Sequence, residues 1–585
     1  MPGKPKREQR TIIFVSYESE YAKSGGLGAV MSILPKQMAL HEKDCLVMAP
    51  LFKKITNLER LLENKKIKGF KTCAQFDLMI GEKGYIVDII EVIGPEGFRT
   101  YLLSSNDFFN APADPFMNPV NAEKPMNPYT NPVNPVKLAE DALFFCAAIP
   151  KALIELGKTQ DIVLHLQDWE AACTAKAVKM DPAFSSAACI LTLHNPYDRH
   201  LGNMGFGLVA ELTNHLGMNY DNILSQMIPL VDGPISTVSQ NFADELISSP
   251  LHTKVFAKHL QGLFEHKGMI GIDNGIFGEK RFPFPENALA KARQGDFEEI
   301  RKEKLKRRKE LAKVLKSYQQ RLNTLSKETW GDDLDLNDPD IPVFLVLGRD
   351  DPRQKGFDVV ASAIDLIPKG KARYIFTPMP GDEGFIGLDF LRKLANDRKG
   401  EVKVFPLRLD PEPFRALQKG SSYMVMCSLY EPFGAATEAY IAGMPVVARA
   451  TGGLVQQVIP YPSAALSRQG YSMSTMFHCR GNEPTGFLFR EPELSNEVYG
   501  WQRIVDCNYW NTNPKGDRQR DRKGTALFDS IVQRSAWALQ EAIDLYRTNQ
   551  QDYSRMIYHG FNMLDNFSWD RSVRNYQRLY DLVCK

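Results

Sequence analysis

Short apolar runs alternate with helix-like patterns along most of the chain. The runs at 11–15, 161–166 and 341–347 have the length of buried strands and are too short to be helices of their own. Further runs of this kind lie at 44–49, 188–193, 234–238, 423–427 and 444–448. Apolar residues at helical spacing predict helices over 27–40, 137–156 and 435–442. This alternation predicts an α/β protein.

Two stretches depart from this pattern. Residues 110–136 contain seven prolines and repeated Asn-Pro steps. Because proline lacks an amide hydrogen and restrains the residue before it, an extended loop is predicted, either a surface excursion or a lid. Residues 287–328 are rich in Lys, Arg and Glu and predict a solvated helical stretch.

Composition narrows the class of protein. A chain of 585 residues exceeds one ordinary core, and 43% hydrophobic with 24% charged residues is typical of a soluble globular protein. A net charge of +2 gives no field that favours nucleic acid, and no apolar run is long enough to span a membrane. The N-terminus has no signal-like apolar region, and cysteines such as Cys45, Cys189 and Cys427 lie in strand-like runs. We therefore expect a cytoplasmic protein with reduced cysteines.

The segment 421–454 carries the densest chemical signal. A predicted strand ends at 427, and a loop with Glu431 and Gly434 leads into the helix 435–442. Ligands of open α/β sheets bind beyond the carboxyl ends of strands, and Gly434 would let the backbone approach a ligand closely. Glu438 follows Glu431 by seven residues, about two helical turns, and would face the same crevice. The alternative is that both acids are surface residues favoured by the helix dipole.

Two basic loops follow other predicted strands. Lys23 with Gly25 and Gly26 precedes a helix and forms a concavity that would receive an anion, although a plain turn has the same pattern. Arg349 and Lys355 follow the strand 341–347 and would bind a diphosphate, although loop cations are often only solvated.

These motifs, in their order along the chain, resemble one family of enzymes. YEPFG, EAYIAGMPVV and TGGL are similar to the donor-site segment of retaining glycosyltransferases with two Rossmann domains (GT-B), above all the glycogen and starch synthases. Further motifs similar to those of this family are KSGGLG, HLQDWEA, LTLHN, MIGIDNGI, GRDDPRQKG and FSWDRSVRNYQRLY. The resemblance runs from about residue 11 to 580, with gaps at 110–136 and 285–335.

The resemblance implies two Rossmann-like domains facing a central cleft. It predicts an acceptor-side domain over 1–280, a nucleotide-sugar domain over 281–560 and a last helix, 561–585, that crosses back to the first domain. The implied activity is transfer of glucose from ADP- or UDP-glucose to the non-reducing end of an α-1,4-glucan with retention. We expect no cofactor and no obligatory metal, and the sequence leaves a homo-oligomer open.

The family's site residues map onto this chain. The implied catalytic residues are Lys355, Arg349, Glu431 and His194. The implied donor-binding residues are Lys23, Gly25, Gly26, Asn274, Gly434, Ala435, Glu438, Thr451, Gly452 and Gly453. The implied acceptor-side residues are Asp168, Trp169 and Glu170. Lys355 and Arg349 would stabilise the leaving diphosphate, Glu431 would hold sugar hydroxyls, Glu438 the ribose, and His194 the sugar 6-hydroxyl.

Several positions depart from the family pattern. Ala29 replaces an aspartate, and Gln167 and Glu170 replace histidines. Compared with the family pattern, the loop between Glu431 and Glu438 is one residue shorter, and the loop between Arg349 and Lys355 is one residue longer. Two alternatives therefore stay open. One is a transferase for a small acceptor, as in sucrose or trehalose synthesis, and the other is a non-catalytic glucan-associated homologue.

Overall fold

The computed structural model describes residues 10–111, 127–129, 134–479, 481–507 and 522–584. These residues divide into two compact units. The first unit contains the chain up to Gly275 and from Trp569 onward, and the second contains Ile276–Ser568. Most of the predicted loop 110–136 lies outside the described residues. The assignment of one domain to the acceptor and the other to the nucleotide sugar stays a prediction.

The first unit is built on a sheet of nine described strands with the order β3-β4-β5-β2-β1-β6-β7-β8-β9. The strands are β1 (Thr11–Val15), β2 (Asp44–Pro50), β3 (Gly69–Ile80), β4 (Lys83–Ile93), β5 (Arg99–Ser104), β6 (Ile162–Gln167), β7 (Ala188–Leu193), β8 (Ile235–Thr237) and β9 (Met269–Gly271). All neighbours pair in parallel except β3 with β4 and β4 with β5. Every residue of β1 and β6 is buried, as expected for strands covered on both faces.

Helices cover this sheet. Those of the first unit are Gly26–Met31, Leu34–Met38, Leu58–Glu63, Pro135–Glu155, Asp168–Ala172, Thr174–Lys179, Gly207–His215, Ile223–Met227, Gln240–Ser248, Gln261–Lys267 and Trp569–Val583. Pro135–Glu155 buries most of its length, including Leu143, Phe144 and Phe145. The sheet and its helices therefore enclose a conventional α/β core.

One prediction for this unit was wrong in detail. The single helix expected over 27–40 is two short helices, Gly26–Met31 and Leu34–Met38. Pro35 stands in the first turn of the second helix, where its missing amide and fixed ring are tolerated, so the helix restarts there. The region before residue 105 forms a long antiparallel hairpin, β3 and β4, followed by β5.

The C-terminal helix Trp569–Val583 belongs to the first unit, which confirms the predicted return of the chain. The Tyr580 hydroxyl lies 2.9 Å from Nδ1 of His165 in β6. Gln577 donates to the Glu42 carboxylate at 2.7 Å. A Cβ on Gly275 would lie 2.5 Å from the backbone nitrogen of Trp569, so the close approach of the two segments requires glycine there.

The second unit has a six-stranded sheet of described strands with the order β12-β11-β10-β13-β14-β15, and all of its pairs are parallel. The strands are β10 (Val343–Arg349), β11 (Arg373–Met379), β12 (Val402–Val404), β13 (Tyr423–Met426), β14 (Val446–Arg449) and β15 (Gly486–Phe489). Its helices are Glu286–Ala292, Glu298–Thr324, Phe357–Asp365, Asp389–Asp397, Pro411–Gly420, Ala436–Ala442, Gly453–Gln457, Arg468–Thr475, Glu497–Asp506, Ala526–Thr548 and Gln550–Met563. The charged stretch 287–328 is thus two helices, Glu286–Ala292 and Glu298–Thr324. No helix in the described residues has the length and apolar character needed to cross a membrane.

Candidate active site

The clearest cluster of predicted site residues lies in the second unit, at the carboxyl ends of two neighbouring strands. β10 and β13 pair in parallel, with Phe344 opposite Tyr423. β10 ends at Arg349, the loop after it carries Lys355, and the loop after β13 carries Glu431 and Gly434. Parallel neighbours deliver their following loops to the same edge of the sheet, which is where ligands of open α/β sheets bind.

Lys355 and Glu431 form an ion pair across these loops. The Lys355 Nζ lies 2.7 Å from Oε2 of Glu431, and the same oxygen accepts a hydrogen bond from the Ser428 hydroxyl at 2.7 Å. The Glu431 residue is 7% exposed. The side-chain carbons of Lys355 lie 3.9 Å from the position that a Cβ on Gly348 would occupy. The side chain therefore runs past the end of β10 to Glu431. The sequence therefore identified two residues that the fold brings into contact.

The backbones of the two loops are joined directly. Leu429 donates its amide to the Gln354 carbonyl at 2.6 Å. Gly356 has φ +61°, and a Cβ there would lie 2.2 Å from the Cys427 carbonyl oxygen. Only glycine satisfies both the left-handed conformation and the close approach. The loop of Lys355 is therefore fixed against the loop of Glu431 by main-chain contacts.

Two buried arginines, both absent from the sequence prediction, hold these loops from behind. Arg522 pairs with Asp358 at 2.9 Å and donates to the Pro352 carbonyl at 2.6 Å. Arg449 donates to the Leu429 carbonyl at 2.6 Å and, through Nε, to Glu491 at 3.0 Å. Guanidinium groups suit this task because one side chain bonds a carboxylate and a carbonyl together. Sequence alone gives no sign that either arginine is buried.

Arg349 has a different partner. Its Nη2 lies 3.4 Å from Oδ1 of Asp382, in the loop after β11, and its side chain is partly exposed. Since Arg349 and Lys355 both border Gly348, the two cations lie at the end of the same strand. They could engage one polyanion, with the arginine as a fork and the lysine as a point charge.

Glu438 lies near Glu431, but the two acids do not share one helix as the predicted helical spacing required. The helix begins at Ala436, so Glu431 precedes it and the two acids are not two turns apart on one helix. Burial, together with the charge of Glu431, raises the pKa of Glu438 to about 7. Thr437 donates to its carboxylate at 2.8 Å. Gly434, at φ +95°, supplies the turn into the helix, which Ala435 then precedes directly.

The predicted residues Thr451, Gly452 and Gly453 pack against the Glu431 loop. The Gly453 amide donates to the Glu431 carbonyl at 3.0 Å. A Cβ on Gly452 would lie 1.7 Å from that carbonyl oxygen, and one on Gly453 would lie 2.2 Å from the Phe433 carbonyl oxygen. Their lack of side chains is thus explained by loop packing, and Thr451 is buried beside them. Their contact with a donor stays a prediction.

In the first unit, the glycine loop after β1 already surrounds an acid. Oε2 of Glu18 accepts hydrogen bonds from the amides of Ser24 at 2.7 Å, Gly25 at 3.2 Å and Gly28 at 3.2 Å. An external anion at the Gly25 amide would have to displace this carboxylate. Lys23 and the backbone of Gly26 are exposed at the same turn. Sequence reasoning missed Glu18, although a glycine-rich turn that favours anions also favours a carboxylate from its own chain.

His194 lies after β7 and is held by residues that follow β6. Asp168 Oδ1 accepts from the His194 amide at 2.6 Å, and Oδ2 accepts from Asn195 Nδ2 at 3.4 Å. The His194 Nε2 lies 2.8 Å from Oε1 of Gln167. Burial lowers the pKa of His194 to about 4, and burial raises the pKa of Asp168 to about 7. The sequence had noted Gln167 only as a departure, not as a partner of His194.

Three predicted acceptor-side residues are buried. Asp168, Trp169 and Glu170 are each less than 10% exposed, and the guanidinium of Arg199 lies 5.2 Å from the Trp169 ring centre. Burial, reinforced by the charge of Asp168, raises the pKa of Glu170 well above its usual range. In this structure Trp169 packs under an arginine, and the acceptor-side role of the three residues stays a prediction.

Asn274 is also buried, at 4% exposure, and its backbone amide donates to the Val238 carbonyl at 3.2 Å. Its side-chain oxygen has no hydrogen-bond partner among the residues that the structure describes. A buried acceptor without a donor is costly, and a ligand hydroxyl or a water would relieve it. This is consistent with the predicted ligand contact at Asn274.

A separate cavity of about 580 Å³ lies in the second unit, between the segment 279–285 and the helix Glu298–Thr324. Arg307 and Glu303 are among the charged residues that line it. None of the residues predicted from sequence as catalytic or ligand-binding lines this cavity. The strand-end cluster therefore remains the better candidate for the active site.

Comparisons with known proteins show what this chain is similar to in sequence. Residues 11–266 match the starch synthase catalytic domain, and residues 311–472 match a family 4 glycosyltransferase in conflict systems. The glycogen synthase of Thermotoga petrophila is 25% identical over 536 residues, which cover 87% of this chain and 96% of that protein. The glycogen synthase of Roseobacter denitrificans is 28% identical over 474 residues, which cover 78% and 86%.

A solved structure shows the same fold. The catalytic domain of starch synthase IV from Arabidopsis thaliana, bound to ADP and acarbose, aligns with a TM-score of 0.65 at 17% identity and covers 99% of both chains. With one mostly parallel and one fully parallel sheet, and with this neighbour, the fold is that of the GT-B glycosyltransferases. In sequence, the chain is similar to glycogen synthases over most of its length and to the starch synthase catalytic domain over its first half.

Proposed function

We propose that this protein transfers glucose from a nucleotide sugar, ADP- or UDP-glucose, to the non-reducing end of an α-1,4-glucan, with retention of the anomeric configuration. The ion pair between Lys355 and Glu431 carries the proposal. It places a cation that suits a phosphate beside a carboxylate that suits sugar hydroxyls, at the carboxyl ends of β10 and β13. A nucleotide sugar requires both groups within a few ångströms of each other.

Charge stabilisation is the main chemical task in this proposal. When the bond between glucose and the nucleoside diphosphate breaks, negative charge grows on the leaving phosphate. Cations that are already in place lower the barrier, because they act where the charge appears and need no reorganisation. Lys355 and Arg349 take this role, and Lys355 exchanges part of its contact with Glu431 for the phosphate.

The remaining residues bind and orient the donor and the sugar. Glu431 accepts hydrogen bonds from hydroxyls of the glucose, and Glu438 accepts from the ribose. In the first unit, His194 contacts a hydroxyl of the transferred glucose. Glu431 is therefore expected to affect the reacting sugar, whereas Glu438 contributes mostly uniform binding. We expect the protein to act in the cytoplasm.

The test is a transfer assay with purified protein. ADP-, UDP- and GDP-glucose labelled in the glucose are offered with glycogen, with maltooligosaccharides and with glucose, glucose 6-phosphate and fructose as small acceptors. The expected result is label in glycogen and in longer maltooligosaccharides, with α-1,4 linkages by NMR spectroscopy. A Lys355→Ala variant serves as the blank for contaminating transferases.

Other outcomes decide between the alternatives. A labelled disaccharide, or its phosphate, in place of longer glucan would replace the polymer acceptor with a small one. Glucan binding without transfer from any donor would overturn the enzymatic proposal and favour a non-catalytic homologue. A β-linked product would overturn retention while leaving the glycosyltransferase assignment intact.

A further inference from the structure

Gln167 is the last residue of β6 and is nearly fully buried, at 1% exposure. Its side-chain amide joins two neighbours. Nε2 donates to the His165 carbonyl at 3.3 Å, and Oε1 lies 2.8 Å from Nε2 of His194. A buried amide with two such contacts has only one favourable orientation if one of the neighbours can only accept.

The His165 carbonyl sets that orientation. A backbone carbonyl oxygen accepts and never donates, so the Gln167 Nε2 must face it. Rotating the amide by 180° would place Oε1 against the carbonyl and bring two acceptors together in a buried position. The Gln167 oxygen is therefore directed at His194.

The orientation of Gln167 in turn determines the proton on His194. An amide oxygen only accepts, so the 2.8 Å contact requires a hydrogen on Nε2 of His194. The ring is neutral at pH 7, because burial lowers its pKa to about 4. A neutral imidazole has one N–H, so Nδ1 is left with a lone pair. Among the residues that the structure describes, Nδ1 has no hydrogen-bond partner.

The backbone of His194 is held as firmly as its ring. Asp168 has φ +59°, an uncommon conformation for a residue other than glycine, and its carboxylate reaches the amide of His194 at 2.6 Å. The same carboxylate accepts from the side chain of Asn195. The histidine is thus fixed at its backbone by Asp168 and at its ring by Gln167.

We propose that Gln167 is a positioning residue that fixes the Nε2–H tautomer of His194, so that Nδ1 accepts a hydrogen bond from a hydroxyl of the glucose donor. The kinetic part of this inference rests on the proposed function. The tautomer itself does not, because it is a property of the protein without substrate. A histidine that must accept a hydrogen bond selects a sugar position that bears an O–H and rejects one that lacks it.

The first experiment measures the tautomer directly. Long-range ¹H–¹⁵N NMR spectra of ¹⁵N-histidine-labelled protein at pH 7.5 distinguish Nε2–H from Nδ1–H, and a His194→Gln variant assigns the signal. The expected result is Nε2–H in the native protein and a mixture or the other tautomer in Gln167→Leu. An Nδ1–H ring in the native protein would overturn the proposal, whether or not the protein transfers glucose.

The second experiment links the tautomer to the substrate. The donor that supports transfer is compared with its 6-deoxy-6-fluoro analogue, which cannot donate a hydrogen bond from that position. The native protein should lose about tenfold in kcat/KM with the analogue, or 1.4 kcal/mol. For Gln167→Leu, kcat/KM should be nearly the same with the donor and with the analogue, because Nδ1 of His194 no longer accepts a hydrogen bond. An equal loss in Gln167→Leu and the native protein would overturn the assigned contact.

Folding is controlled separately. Thermal unfolding followed by circular dichroism compares Gln167→Leu with the native protein. If the native protein shows the Nε2–H tautomer and transfers no glucose from any donor, the proposed function fails while the positioning of His194 by Gln167 stands.

Discussion

The ammonium of Lys355 and the carboxylate of Glu431 are 2.7 Å apart, although 76 residues separate them in the chain. The two groups had been predicted to act on different parts of one substrate, the diphosphate and the sugar. Their contact means that each sets the charge environment of the other before a donor binds. Changing either residue therefore alters both the binding of the donor and the state of the partner left behind.

Lys355→Ala should lower kcat/KM by a factor of about 100 or more, because it removes a charge that stabilises the leaving diphosphate. Steady-state kinetics with the accepted donor measure this. Lys399→Ala is a matched control, since Lys399 is an exposed lysine of the same unit, and it should behave as the native protein. Unchanged turnover in Lys355→Ala would remove Lys355 from the phosphate site.

Glu431→Ala and Glu438→Ala should differ in kind. Glu431→Ala is expected to lower kcat by about 100-fold, since it removes contacts to the reacting sugar. Glu438→Ala is expected to raise the donor KM by about tenfold with a smaller change in kcat. Calorimetry with the nucleoside diphosphate separates the two, because only Glu438→Ala should weaken its binding. Equal diphosphate affinity in Glu438→Ala and the native protein would contradict the ribose contact.

The pKa of Glu438, raised by burial and by Glu431 to about 7, predicts a pH dependence of donor binding. Ribose hydroxyls donate to the ionised carboxylate, so donor affinity should rise as pH increases from 6 to 8. Glu438→Gln, which cannot ionise, should flatten this profile. Isothermal titration of the nucleoside diphosphate across this range is the measurement, and an unchanged slope in the variant would assign the titration to another group.

The raised pKa of Glu438 also makes the stability of the protein depend on pH, in the opposite direction to donor affinity. A carboxyl whose pKa is higher in the folded than in the unfolded protein binds more protons when folded, so its contribution to stability falls as pH rises from about 4.5 to about 7. A shift of this size corresponds to at most about 3 kcal/mol. Glu438→Gln should therefore gain stability relative to the native protein at pH 8 and show little difference at pH 4.5, as measured by urea unfolding.

Arg449 should contribute strongly to the stability of the folded protein, because it binds the Leu429 carbonyl in the Glu431 loop and the carboxylate of Glu491. Burial alone would raise the pKa of Glu491, but Arg449 and Arg490 outweigh it and lower the pKa to about 2. Arg449→Met leaves this carboxylate with less compensation, and breaking such a pair costs about 3–5 kcal/mol. Chemical unfolding measures the loss. The double variant Arg449→Met with Glu491→Gln should recover part of it, and failure to recover any would mean that the Leu429 contact dominates.

Ala29→Asp tests the acceptor side. Ala29 lies in the short helix Gly26–Met31, directly after Gly28, whose amide donates to Glu18. A second carboxylate next to Glu18 should change the preference among acceptors, while the donor KM stays within about twofold. Chain-length analysis of the products from maltooligosaccharides of different lengths measures the preference. An unchanged product distribution would show that Ala29 is a neutral variant.

The architecture and the strand-end residues were predictable because they depend on local patterns. Apolar runs located the strands near Val343 and Tyr423, and the motifs placed Lys355 and Glu431 at their ends. The start of the helix at Ala436 was not predictable to one residue, since Gly434 and the packing of Gly452 on the Glu431 carbonyl determine where the loop ends. Such contacts join segments that are distant in sequence.

The partners of the site residues were harder to predict. Glu18 and Gln167 are ordinary polar residues in the sequence, and only the fold shows that one fills the glycine loop and the other faces His194. Arg449 and Arg522 likewise carry no mark of burial. A residue type shows what a group can do, whereas the identity of its neighbour requires the tertiary structure.

The helix Trp569–Val583 has a consequence for the synthesis of the protein. It completes the first unit, and its Tyr580 meets His165 across 415 residues of sequence. On the ribosome, the first unit therefore stays incomplete until the segment Ile276–Ser568 of the second unit has been made, and every described strand of the second unit is made before this helix. The unit whose strands are made first is therefore completed last, and until then its central sheet lacks the helix whose Tyr580 contacts His165.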